Sequence, residues 1–290
     1  TIIARLWDAM DLNPFNRRIV RLLAEKLEGS EDVADAQNIK AWAERLDAVS
    51  DYDSQKVLGN MHSGRILEWL APRSPSTGEH AAIGKYLAAK GTPPQFGLLV
   101  LDLDNDMRKL QTTLDSLVEG PYKGFKIVVF TTGDLPSATN IENILHFVKV
   151  SQSNYVDKLN QITRQLTTDW LLLLNAGDQF TAAGLLQAGL ELLAAPQCRA
   201  VFADEIHRQP DGALRDVFRP GFNLDLLQSN PALMARHWLV RRDVLLEAGG
   251  YSVDFAEALE FDLLLRIIQQ GGIGWLAHLD GPLLICDAPS

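Results

Sequence analysis

The stretch Asp169-Trp170-Leu171-Leu172-Leu173-Leu174-Asn175-Ala176-Gly177-Asp178 decides the fold. Four consecutive leucines between polar residues read as a short strand covered on both faces, the pattern of a parallel sheet with helices on each side. The run then breaks into a polar turn holding a glycine and an aspartate. Ligands of open α/β sheets collect at the carboxyl ends of strands, so Asp178 is placed to meet a charged ligand or a metal. The plain alternative is a turn whose Asp178 caps a helix over Thr181 to Leu193.

Outward from this strand, short apolar runs alternate with amphipathic stretches. Strands are expected at Phe96–Leu103, Lys126–Phe130, His146–Val150, Trp170–Leu174, Ala200–Ala203 and His237–Arg241. Helices are expected at Met107–Val118, Tyr155–Leu166, Thr181–Leu193, Arg242–Ala248 and Glu257–Gln270. Such alternation predicts an α/β domain with a largely parallel sheet. Residues 1 to about 90 read as helices only. One starts at Leu12-Asn13-Pro14, with Asn13 as cap and Ile19, Val20, Leu22, Leu23 and Leu27 as its apolar stripe, and ends at Gly29-Ser30. Others run over Asp35 to Val49, Ser54 to Leu70 and Gly78 to Ala89. The breaker cluster Lys90-Gly91-Thr92-Pro93-Pro94-Gln95 separates the two patterns, which gives a helical accessory domain over 1–93 and an α/β domain over 94–290.

The chain has 290 residues, 47% of them hydrophobic, and a formal net charge of −10. That balance argues against a nucleic-acid partner, which needs clustered Lys and Arg. Cys198 and Cys286 are too few for a disulfide framework and read as small core residues. No apolar run approaches the roughly 18–20 residues that span a bilayer. The N-terminus has no initiator Met and no signal-peptide layout, which fits a processed chain or a piece of a longer one. The expected location is the cytoplasm, with peripheral contact at the inner membrane made through a partner. The spaced glycines of a dinucleotide-binding turn are absent after the first strand, at Asp102-Leu103-Asp104-Asn105, and after every later one.

A series of landmarks runs in order through residues 96–287. Leu98 to Asn105 is followed by Thr113-Leu114-Asp115-Ser116-Leu117. Val201-Phe202-Ala203-Asp204-Glu205 resembles a "YSDED" segment, and Phe218-Arg219-Pro220-Gly221-Phe222-Asn223-Leu224-Asp225-Leu226-Leu227 resembles "FRPGWNPDLL". Val240-Arg241-Arg242-Asp243-Val244-Leu245 with Gly249-Gly250-Tyr251 resembles "VRRDVLxxxGGF". Leu259-Glu260-Phe261-Asp262-Leu263-Leu264-Leu265-Arg266 resembles "QDYDLLLRL". In this order the landmarks resemble the family 2 glycosyltransferases of bacterial O-antigen and polysaccharide biosynthesis, with Leu98 to Leu117 similar to the family's first strand and helix.

The resemblance implies a GT-A fold, a mixed nucleotide-sugar-binding sheet flanked by helices, behind the small all-α domain. It implies a transferase moving a sugar from a nucleotide-sugar donor to a glycan, lipid-linked or protein acceptor by inversion. Glu260 takes the family's position for the general base. Asp104, Asn105, Thr131, Asn175 and Asp204 take positions for the donor, and Asp178 with Glu205 positions for a Mg²⁺ or Mn²⁺ ion. The chain departs from the pattern where the metal-binding Asp-x-Asp reads Asn175-Ala176-Gly177. It departs again where acids after the second strand read Thr131-Thr132-Gly133-Asp134, where the last acid of "DED" reads Ile206, and where a late His is replaced around Ile285-Cys286-Asp287. These departures leave a second expectation open, an inactive derivative serving as a binding or assembly module, with residues 1–90 recruiting a protein partner. Asp262 and Arg266 have the spacing of an i,i+4 ion pair, and a lone His278 reads as a satisfied or exposed residue.

Overall fold

The computed structural model describes residues 2–12, 14, 16–28, 33–50, 66, 69–70 and 76–289. The chain forms two compact units, Thr1–Met61 and His62–Ser290.

The first unit holds α1 (Ile2–Leu12), α2 (Arg17–Leu27) and α3 (Val33–Ser50). Val20, Leu23 and Leu27 of α2 pack on Ile39 and Ala43 of α3, as the stripe predicts, whereas Leu22 of the expected stripe is exposed because it falls on the helix's other side. Helix α1 has no counterpart in the sequence reading. The cap of α2 is Asn16, whose side chain accepts from the Ile19 N–H, and not Asn13, so the helix starts later than expected. Asn13, Gly29, Ser30 and nearly all of the helix expected over Ser54 to Leu70 lie outside the described residues.

The first helix described in full in the second unit is α4 (Thr77–Lys90), started by a reciprocal capping box between Ser76 and Glu79. Leu87 of α4 is buried in the same apolar cluster as Phe96, Tyr122 and Phe125. The sheet then builds from β1 (Phe96–Asp102), β2 (Phe125–Thr131), β3 (Asn140–Ile141), β4 (Leu145–Lys149), β5 (Trp170–Asn175), β6 (Gln179–Phe180), β7 (Ala200–Arg208), β8 (Leu214–Val217), β9 (Leu239–Arg241) and β10 (Leu276–Asp287). Between them run α5 (Met107–Glu119), α6 (Tyr155–Gln165), α7 (Gly184–Ala194), α8 (Leu224–Ser229), α9 (Pro231–Met234), α10 (Arg242–Glu247) and α11 (Leu259–Gly271).

The strand order is β3-β4-β2-β1-β5-β9-β7-β10-β6, with β8 on β7. Strands β4, β2, β1 and β5 are mutually parallel, and the all-apolar interior of β1 and β5 is buried on both faces. The sheet is not parallel throughout, because β9 runs antiparallel to both β5 and β7. This inversion positions the site. The Trp170↔Arg241 and Leu172↔Leu239 pairs put the residues that precede β9 beside the carboxyl end of β5. Two apolar layers cover the faces: one includes Leu98, Leu172 and Leu186, the other Leu99, Leu173, Trp238 and Leu263. Among the described residues no helix is long and apolar enough to cross a membrane.

Candidate functional site

At the carboxyl end of β5 the chain turns through Asn175-Ala176-Gly177. Asp178 closes that turn: its Oδ2 accepts the Asn175 N–H at 2.7 Å. It caps no helix, since α7 begins at Gly184 without a side-chain cap. The same Oδ2 lies 3.0 Å from His237 Nε2, and His237 Nδ1 lies 2.7 Å from Glu205 Oε1. His237 is buried and sits at φ 54, where the chain leaves α9 for β9. Burial alone would strip its proton, but Asp178 and Glu205 on either side outweigh that and hold its pKa well above the ordinary imidazole value. A ring nitrogen donates to each carboxylate, so the residue is an imidazolium wedged between two buried acids.

Glu205 is fully engaged. Besides His237 it meets His207 Nε2 at 2.7 Å, Arg219 Nη2 at 3.3 Å and the Cys286 thiol at 3.5 Å. Burial would raise its pKa, yet His237, His207 and Arg219 together keep it far below the usual carboxylate range. Arg219, from the Phe218-Arg219-Pro220-Gly221 segment, also donates to the Ala203 and Arg236 carbonyls. That segment is thus a brace under the site.

Glu260, at the start of α11, takes the His237 and Trp238 backbone N–H groups on its two oxygens at 3.0 and 2.9 Å. Burial raises its pKa, against the pull of His237. Asp178 and Glu260 therefore meet through one residue. Asp262, two positions on, pairs with Arg266 at 2.6 Å as its spacing predicts.

Two adjoining compartments open over this assembly, and Leu101, Leu103, Asn175 and Arg236 line both. One of about 450 Å³ has Tyr155, His237 and Glu260 in its wall. The other, of about 380 Å³, has Asp104, Lys109, Asp178 and Asp287. The remaining candidates line neither. Asp204 is saturated by the Arg219 and Gly281 N–H groups and by His278 Nε2, which also satisfies His278. Thr131 donates to buried Asp102 at 2.8 Å and accepts the Gly133 N–H. Asn105 lies over Gly133 so closely that a Cβ there would stand 1.8 Å from its Oδ1. The sequence reading missed His237, Lys109 and Arg236 as site residues. A histidine just ahead of an apolar strand was the available signal for the first.

These acids leave little for a Mg²⁺ or Mn²⁺ ion, which is held by one or two carboxylates with phosphate oxygens and waters completing its shell. Gly177 has no side chain, Asn175 is neutral, and one Asp178 oxygen and both Glu205 oxygens are occupied by internal donors. Glu205, His237 and Cys286 hold three ligand-type atoms within 4.8 Å of one another. That donor set suits a softer ion, and here it is closed by hydrogen bonds.

No model of a known protein family matches the chain. An O-antigen biosynthesis protein, RfbC of Myxococcus xanthus, is 31% identical over 117 residues, covering 40% of this chain and 9% of that protein. Residues 1–349 of S. aureus TarS superpose with a TM-score of 0.52 at 12% identity, covering 67% of this chain and 60% of that one. The same TarS fragment in complex with UDP gives 0.50 at 13% identity, over 66% and 60%. The fold is the GT-A arrangement, a mixed sheet flanked by helices with helices ahead of it. The chain has a glycosyltransferase-like fold.

Proposed function

We propose that the chain transfers a sugar from a nucleotide-sugar donor to a hydroxyl of a glycan, lipid-linked or protein acceptor, with inversion. The observation that carries this reading is the meeting of Asp178, His237 and Glu260 at the carboxyl end of β5, beside an open two-part cleft. The donor diphosphate occupies the compartment lined by Lys109, Asn175 and Asp178. The acceptor enters the one lined by Tyr155 and Glu260. Glu260 takes the acceptor proton as the new C–O bond forms, and the bond to the diphosphate breaks with its electron pair going to the phosphate oxygen. A carboxylate with a raised pKa is the stronger base, and its two backbone donors fix its direction while leaving lone pairs free. Protein, membrane-surface and cytoplasmic contacts belong to the same proposal, with the helices of the first unit as the recruiting surface.

Turnover of UDP- and GDP-sugars by the wild type and by Glu260→Gln tests it. Loss of the general base lowers kcat by about 10²–10⁴ with nucleotide binding kept, whereas unchanged turnover removes Glu260 from the reaction. A second reading, a binding module without turnover, draws on the internal saturation of Asp178 and Glu205. Nucleotide binding with no consumption of any donor would favour it.

A further inference from the structure

We infer that this cleft binds the diphosphate of its donor with organic cations, Lys109 and Arg236, in place of a divalent metal, and that Asp287 holds their place until the ligand arrives. The inference rests on the nucleotide-sugar reading above and names the groups that meet the phosphates.

Three observations carry it. First, Gly177 stands at φ 106, and the Lys109 stem lies across it, 3.4–3.5 Å from where a Cβ would be. Gly177 is where the resemblance puts a metal-binding carboxylate, so a cationic side chain covers the spot instead. Second, the acids around this compartment are mostly spent within the fold. Asp102 takes Thr131 and the Asp106 N–H. Asp106 caps α5 through the Arg108 and Lys109 N–H groups, and Asp178 binds His237. Asp104 is the exposed acid left at the rim. Third, Asp287 at the end of β10 draws the cations together. Its carboxylate meets Lys109 Nζ at 3.2 Å and Arg208 Nη1 at 2.7 Å, and its carbonyl takes both Arg236 Nη groups at 3.2 Å. Lys109 and Asp287 are each about half exposed, with side-chain accessibilities of 49% and 53%. This pair therefore opens at little cost, since exposed ion pairs contribute little to stability. A diphosphate offers more charge and more acceptor oxygens than one carboxylate, and charge-assisted bonds to phosphate are among the stronger ones. Arg208, also bound to Gln179 Oε1 at 3.0 Å, retains Asp287 once Lys109 turns to the ligand.

Calorimetric titration of the full chain with UDP, GDP and pyrophosphate, in EDTA and then in Mn²⁺, tests the inference. The expected Kd values agree within about twofold in the two buffers. Asp287→Asn, which removes the competing charge, tightens binding about two- to fivefold, and Lys109→Ala weakens it about tenfold. A staple that merely supported the fold would loosen binding when Asp287 is neutralised, so the opposite sign is the signature. Circular dichroism confirms that each variant is folded. Binding that appears only with Mn²⁺, or an Asp287→Asn variant that binds no more tightly, overturns the inference and leaves the nucleotide reading standing. Absence of binding by all three probes in both buffers overturns both.

Discussion

Asp178 and Glu260, on β5's turn and at the start of α11, are joined by a single residue. His237 gives its ring to Asp178 at 3.0 Å and its backbone N–H to Glu260 at 3.0 Å. The topology makes this meeting, because antiparallel β9 begins where parallel β5 ends. A proton-bearing ring between Asp178 and Glu205 supplies the positive charge that otherwise would have to come from an ion. The cost of burying two carboxylates is offset inside the fold, and the site does not wait on a ligand to be neutral.

His237→Ala leaves Asp178 buried without its counter-charge, while Glu205 keeps His207 and Arg219. Removing one partner of a buried ionic network costs about 3–5 kcal/mol, and denaturant unfolding should read that loss. Adding Asp178→Asn to His237→Ala should recover part of it. A single-variant loss below about 1 kcal/mol would contradict the wedged imidazolium.

The pH dependence has a defined sign. His207 and His237 both have raised pKa values, His207 to about 9, because burial is outweighed by Cys286 and Glu205 for His207 and by Asp178 and Glu205 for His237. The protonated form is favoured by the folded state, so its stabilisation is complete below the unfolded value of 6.5 and is lost as pH rises through the folded values. Glu205, with its lowered pKa, works from the other side: its share is complete above the unfolded value of 4.5 and is lost progressively as pH falls below it. The melting temperature should hold between about pH 5 and 6.5 and then fall toward pH 9 and beyond. A melting temperature that rises over that upper range would contradict the assignment.

Gly177→Asp recreates the acid that the family pattern has at this position. Here the residue needs φ 106, a conformation that a side chain strains, while its Cβ would only touch the Lys109 stem at 3.4 Å. Strain of this kind costs about 1–3 kcal/mol, so the variant should be less stable by urea unfolding. A neutral or stabilising outcome would show that the turn does not hold this residue at positive φ.

Much of the fold could be read from the chain because its central strands are unbroken apolar runs and its helices are amphipathic. Met107, Tyr155 and Arg242 were expected as first helical residues and are so. The two-residue strands β3 and β6 and the short helices α8 and α9 were not anticipated, since elements this brief show no periodicity. Helix α7 starts at Gly184 rather than Thr181, because Thr181 spends its hydroxyl on the Pro282 carbonyl. At the site, Asp178 could be placed by its strand and Glu260 by resemblance. His237, Lys109 and Arg236 could not, for their roles come from contacts with residues remote in sequence, and the reversal of β9 that creates the first of these leaves no mark on local composition.

The central claim is that a nucleotide-sugar cleft lies where Asp178, His237 and Glu260 meet, and titration calorimetry with UDP and GDP measures it most directly. The account predicts one saturable site per chain for at least one of the two. Heats indistinguishable from dilution for both nucleotides, on protein shown to be folded, would contradict it.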